Sequence, residues 1–135
     1  MAALRAAYLR RWQAALVLCQ GGEARLLHPP RRPPKDPTPW LAPVRGGGGT
    51  PLVPALRLAA TLAEGHLRRH PHAHVELHVL TDGRAHLPTA PPPIPARIRL
   101  IDLQPGRART GHARRLAERL GADYWSQTGP ALTAD

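Results

Sequence analysis

Two residues in this chain pair a reactive side chain with a position that could give it chemistry to do. Thr50 closes the glycines of the stretch Arg45 to Leu56, RGGGGTPLVPAL, and Asp82 opens an Asp-Gly turn directly after an apolar run. In a mainly parallel sheet, ligands collect at the carboxyl ends of the strands, and both residues can reach that edge. A hydroxyl and a carboxylate there are hard oxygen ligands suited to Mg2+, which takes few protein groups and keeps several waters. Gly48 and Gly49 support the first position and Gly83 the second, because glycine allows backbone angles closed to other residues. Each ligand also has a purely structural use, Thr50 as a helix N-cap before Pro51 and Asp82 as the first residue of a turn.

Other chemistry is weaker. His72, His74, Glu76 and His78 alternate, and on one continuous strand they would share a face able to bind a transition metal. Pro71 places His72 before the strand, so solvated histidines are the expectation. No Lys precedes Thr50, which excludes a nucleotide P-loop. No nucleophile has a base and an orienting group beside it. Cys19 is the single cysteine, so there is neither a disulfide framework nor a cysteine zinc site, and its apolar surroundings predict a buried, inert thiol.

The elements that must position these residues follow from periodicity. Met1 to Arg11 reads as a helix with Leu4, Ala7 and Tyr8 on one face. Ala14 to Cys19 is a short apolar run suited to a strand buried on both faces, and Glu23 to Leu27 follows across Gly21-Gly22 as its hairpin partner. The proline-rich stretch His28 to Pro43 is expected to be a surface loop pinned by Trp40, with Asp36 capping one turn that carries Trp40 and Leu41. Pro51 to Arg69 is the strongest helix, with Leu52, Leu56, Ala59 or Ala60, Ala63 and Leu67 at helical spacing, Leu58 and Leu62 widening the stripe, and Pro54 able to delay its start. Val75 to Leu80 and Arg97 to Leu103 read as strands, Gly111 to Leu120 as a helix ended by Gly121, and Asp123 to Ser126 as a last strand. On the first of these strands Val75, Leu77 and Val79 point one way, and Glu76 and His78 point the other. This order of elements predicts one α/β layered domain over residues 1–127 and a loose tail over 128–135.

Composition narrows the partners. The chain has 135 residues, enough for one modest core, and no Phe. Its formal charge is +10, carried by eighteen Arg and one Lys. With Ala, Pro and Gly abundant and Asn absent, that skew matches the coding bias of a GC-rich genome. The arginines are spread along the chain and are not interleaved with aromatics, so a single-strand nucleic-acid platform is not expected. The apolar run Ala14 to Leu18 is too short for a signal peptide, and nothing approaches membrane-spanning length, so a cytoplasmic protein without membrane contact is expected.

The succession GGEARLLHPP, RGGGGTPL, LTDGRA, RLIDL and GHARRLAERLGADYW resembles the C-terminal von Willebrand factor A-type domain of magnesium-chelatase D subunits and their cobalt-chelatase-like relatives. The resemblance spans nearly the whole chain. It implies a Rossmann-like three-layer domain, mainly parallel with an antiparallel edge hairpin. It also implies a metal-ion-dependent adhesion site made of a DxSxS loop, a Thr in the glycine loop and the Asp of the TDG turn, of which Thr50 and Asp82 occupy the last two. The sequence contains no Asp-x-Ser-x-Ser, and Met1 falls within the helix that should follow it. In the family fold the strand before that loop lies between the strands at Ala14 and Val75. The domain is therefore expected to be partial, with three outcomes open: a truncated or misstarted product, closure of those two strands on each other, or a strand supplied by a partner.

What the resemblance implies for function is an accessory or assembly subunit, or a fragment, of a tetrapyrrole metal chelatase, joined to an AAA+ subunit or other chelatase subunits through a Mg2+-bridged carboxylate. With no ATPase module of its own, the chain is not expected to be catalytic alone. The alternative is a metal-independent interaction module whose site has decayed. Arg-driven nucleic-acid binding ranks third and requires a steep salt dependence.

Overall fold

The computed structural model describes residues 1–44, 51–104, 106 and 110–126. Its elements are α1 (Ala2–Leu9), β1 (Ala14–Gln20), β2 (Glu23–Arg31), α2 (Thr38–Leu41), α3 (Val53–Arg69), β3 (Glu76–Thr81), β4 (Arg97–Asp102), α4 (His112–Leu120) and β5 (Asp123–Ser126). The order matches the expectation, with the short α2 falling where one capped turn was foreseen. Asp36 accepts hydrogen bonds from the Thr38 N–H and hydroxyl at 3.1 and 2.6 Å, fixing that turn.

β1 and β2 form an antiparallel hairpin across Gly21 and Gly22. Both glycines have positive φ, +61° and +82°, as in the tight turns whose twist matches that of the paired strands. β1 is half-buried along most of its length and not enclosed on both faces as expected. The proline-rich loop also differs from expectation at its start. β2 runs on through Pro29 and Pro30 to Arg31, with Leu16 opposite His28 and Ala14 opposite Arg31 after two register shifts. β2 is paired on one side only, so a missing proline N–H costs no ladder bond on its open side. The following segment is the surface loop expected, with Arg32, Pro34, Lys35, Asp36, Thr38 and Pro39 exposed and Pro33, Pro37 and Trp40 buried as its anchors; Trp40 stacks on the His28 ring at 4.3 Å.

α1 buries Ala7 and half-buries Leu4 and Tyr8, the face its spacing predicts. Arg32 donates two hydrogen bonds to the Tyr8 carbonyl, at 3.1 and 2.9 Å, and its guanidinium lies 4.4 Å from the Tyr8 ring centre. A cation there satisfies an orphan carbonyl at the negative end of the helix.

α3 starts at Val53 and not at Pro51, with Leu52 in the N-cap position and Pro54 in the first turn, where its missing N–H is harmless. It buries Leu56, Ala60 and Ala63. The helix packs over β1 and β2, and its start joins a core with Val79, Leu87, Leu100, Ala113, Leu116, Ala117 and Leu120. α4 lies against β4 and β5 and ends at Gly121 in the left-handed conformation, as foreseen. No helix replaces the prolines between Gly83 and Ala96.

The single sheet that the sequence implies is split. β3, β4 and β5 form a parallel three-stranded sheet in that order, and β1–β2 is a separate two-stranded sheet. Among the described residues β1 and β3 do not close on each other. The arrangement is a mixed α/β fold consistent with a partial Rossmann-like domain, and the break falls between the two strands predicted to lack a shared neighbour.

Candidate metal-binding edge

The carboxyl ends of β3 and β4 lie side by side, with Thr81 opposite Asp102. Thr81 is buried, and its hydroxyl accepts the Gly83 N–H at 3.1 Å. That bond, with φ of +88° at Gly83, turns the chain sharply and leaves Asp82 at the tip. Glycine is favoured here by the backbone angle, and any side chain at this position would also have to displace the Gln104 amide, the end of a flexible side chain.

Asp82 is half exposed. Its Oδ1 accepts the Arg84 N–H at 3.1 Å, and its Oδ2 lies 3.7 Å from Arg84 Nε. The turn-forming use of Asp82 is thus realised, while its second oxygen lies beside the Arg84 guanidinium. Thr50, Gly48 and Gly49 lie outside the described residues. The N-cap position of α3 is Leu52.

Periodicity did not single out Asp102. This carboxylate is 1% exposed at the end of β4. Its Oδ1 accepts the Gln104 N–H at 2.9 Å, and its Oδ2 accepts the Tyr124 hydroxyl at 2.6 Å. It holds the loop after β4 and ties β4 to β5 beneath the same edge that carries Asp82. The only sequence signal was an acidic residue ending the apolar run RLIDL.

Among the described residues no cluster of three or more His, Cys, Asp or Glu side chains could hold a metal. Asp82 offers one exposed carboxylate, which suits an ion that keeps most of its waters and borrows its remaining ligands. The histidine series does not assemble: β3 begins only at Glu76, His72 and His74 precede it, and His78 bonds the Glu76 carboxylate at 3.1 Å.

The polar face of the parallel sheet carries ion pairs of its own, although the buried Arg99 Nε has no hydrogen-bond partner among the described residues. Arg99 reaches Glu76 at 3.6 Å, and Arg97 pairs with Asp123 at 2.9 Å. A surface cavity of about 500 Å3, lined by Pro91, Pro92, Ile94, Ile98 and Leu120, lies at the amino ends of β4 and β5, away from the Asp82 edge. At the Asp82 end, His112 at the start of α4 bonds the Ala85 carbonyl at 2.8 Å and anchors the segment after the turn. Cys19, at the end of β1, donates to the Pro51 carbonyl at 3.1 Å, tying the hairpin to the approach of α3. Cys19 is half-buried, not fully buried as expected, and that partial burial raises its thiol pKa above the ordinary value.

Over 81 residues, 60% of its length, the chain is 41% identical to the magnesium-chelatase 60 kDa subunit of Cereibacter sphaeroides. It spans 14% of that protein's length. No family model matches the chain. No solved structure matches it either. Among the described residues no helix is long and apolar enough to cross a membrane.

Proposed function

We propose that this chain is an accessory or assembly module of a tetrapyrrole metal chelatase, built on a partial von Willebrand A-type domain. It binds an AAA+ subunit or another chelatase subunit in the cytoplasm and is not catalytic by itself. The observation that carries this reading is the 41% identity over 81 residues to a magnesium-chelatase subunit. The position of Asp82, at the tip of the turn that ends β3, supports a contact at that edge.

In this reading Asp82 and Thr50 contribute oxygen ligands to a Mg2+ ion whose remaining ligands come from the partner and water, with Gly48, Gly49 and Gly83 shaping the loops. The ion supplies a bridge between carboxylates, and the chain's part is to hold Asp82 out from the sheet on the Thr81–Gly83 turn. A pull-down of the AAA+ chelatase subunit by this chain is expected to weaken several-fold in EDTA and with Asp82→Ala, while the thermal midpoint of the isolated chain stays put. Binding that ignores both changes removes the metal from the proposal, and no binding at all removes the chelatase role. A second reading, a metal-independent module, is favoured by the Arg84 guanidinium beside Asp82, a cation standing where an ion would bind. Retained binding in EDTA selects it.

A further inference from the structure

We propose that the cleft between α4 and the segment after the Asp82 turn is a binding site for a small organic phosphate monoester. The site needs neither a metal nor a chelatase partner and goes beyond the contact at Asp82.

One stripe of a helix builds half of the cleft. His112, Arg115, Leu116 and Arg119 fall three and four residues apart on α4, so they share a face. That face meets His86, Leu87 and Pro88, and between them lies a cleft of about 260 Å3. Its lining divides in two. Leu87 and Leu116 are buried and, with Pro88, form an apolar wall, whereas His86, His112, Arg115 and Arg119 supply four basic groups. Among the described residues no Asp or Glu lines it. The positive field is local to the cleft, apart from the net charge of the whole chain.

The basic groups are held in two ways. Arg119 donates to the carbonyls of Leu87 and Thr89. The Ala85 carbonyl can only accept, so His112 Nε2 donates to it at 2.8 Å and Nδ1 is left for a ligand. Carbonyls fix a cation in place without cancelling its charge. Arg115, by contrast, is exposed, and its side chain makes no ion pair or hydrogen bond among the described residues. Its guanidinium folds back towards Gly111, where a Cβ would stand 3.5 Å from Nη1. That is the positive end of α4, whose first turn holds no acidic residue. Basic groups there oppose the helix dipole, and a bound anion removes the mismatch.

Charge and size select the ligand. A guanidinium fork recognises carboxylate and phosphate alike. Two guanidinium groups with no acid between them match a dianion, and a phosphate monoester carries about −1.5 to −2 at neutral pH. One carboxylate leaves a guanidinium unmatched. The cleft has room for about nine water-sized volumes, more than a phosphate group fills, and the apolar wall suits a hydrocarbon body in the remainder.

The test is a titration of the 15N-labelled full chain with phenyl phosphate, followed by NMR in EDTA so that no Mg2+ bridge contributes. Saturable shifts are expected at the Leu87, Arg115 and Leu116 amides and at Arg115 Nε–H. Half-saturation is expected at about 1 mM or below, ordinary for a ligand of this size. Inorganic phosphate lacks the body, phenol lacks the charge and benzoate carries a single charge; each is expected to bind about tenfold more weakly or worse. Arg115→Gln is expected to weaken phenyl phosphate about tenfold with the thermal midpoint unchanged, because its side chain holds nothing else. Arg114→Gln removes the same charge from the same helix, but its guanidinium lies 4.3 Å from the Tyr124 ring centre and outside the cleft. It is expected to leave binding unchanged. The ligand comparison on the unaltered chain stands however either variant folds. A phosphotyrosine peptide separates a free small molecule from a modified partner protein and is expected to bind no tighter than phenyl phosphate. Absence of saturation, shifts centred elsewhere, equal binding of any of the three control compounds, equal loss with Arg114→Gln, or a peptide that binds about tenfold tighter would overturn the proposal.

Discussion

Asp102 and Asp82 are neighbours at one sheet edge, yet they do opposite work. Asp102 is buried and wrapped by the Gln104 N–H and the Tyr124 hydroxyl, as a carboxylate out of water must be. Tyr124→Phe removes a 2.6 Å bond to it and is expected to lower stability by about 1.5–3 kcal/mol in urea unfolding, hydrogen bonds to charged groups being the costly ones to lose. Asp82, half exposed, was legible in the sequence because an Asp-Gly pair after an apolar run is a turn with a carboxylate at its tip. Asp102 was not, because strand alternation does not tell an acid at a solvated strand end from one sealed under the next strand. Cys19 adds a pH dependence. Its folded pKa is raised by burial, so the native state keeps the proton longer than the unfolded chain does. The associated stability is fully present below the ordinary thiol range and is lost as the pH rises through and above it. Urea unfolding of the native chain and of Cys19→Ala is expected to diverge above that range, with the native chain losing more.

At the scale of elements, the largest departure from expectation is the stretch after Leu27. Prolines read as a loop because they remove donors and break helices, but on an edge strand one of the adjacent Pro29 and Pro30 faces the open side, and the other falls at the register shift between Ala14 and Leu16, where the ladder is already interrupted. What fixes that strand is Trp40, buried between the stacked His28 ring and the Arg31 guanidinium 5.0 Å away. A contact between residues twelve positions apart, on different elements, leaves no mark in local periodicity. Trp40→Ala is expected to cost about 3–5 kcal/mol and to release α2 and the end of β2 before the rest, read as early loss of exchange protection there. The helices were easier to read: the buried Leu56, Ala60 and Ala63 of α3 lie on the stripe its spacing showed, and Gly121 ends α4 where a left-handed residue was needed.

Across the whole molecule, the layered α/β class followed from the order of the elements, and the place of the break followed from the family resemblance. Single-sequence periodicity could not show that the two sheets stay apart, because strand pairing is a long-range choice. The consequence is that α3 carries the connection between them, packing over β1 and β2 while Leu56, 2% exposed, belongs to the core of the parallel sheet. Leu56→Ala is expected to cost about 2–5 kcal/mol and to loosen the hairpin from the parallel sheet, seen as a second transition in thermal unfolding. The turn at Gly21 and Gly22 also bears on time. A hairpin closed by a two-residue turn forms in about 1–10 μs, whereas each parallel pairing waits on a crossover. β1–β2 is thus ready early, with one side unpaired while β3, β4 and β5 are still assembling. The molecule is most prone to aggregate in that interval, so its yield on refolding should fall with chain concentration more steeply than its equilibrium stability would suggest.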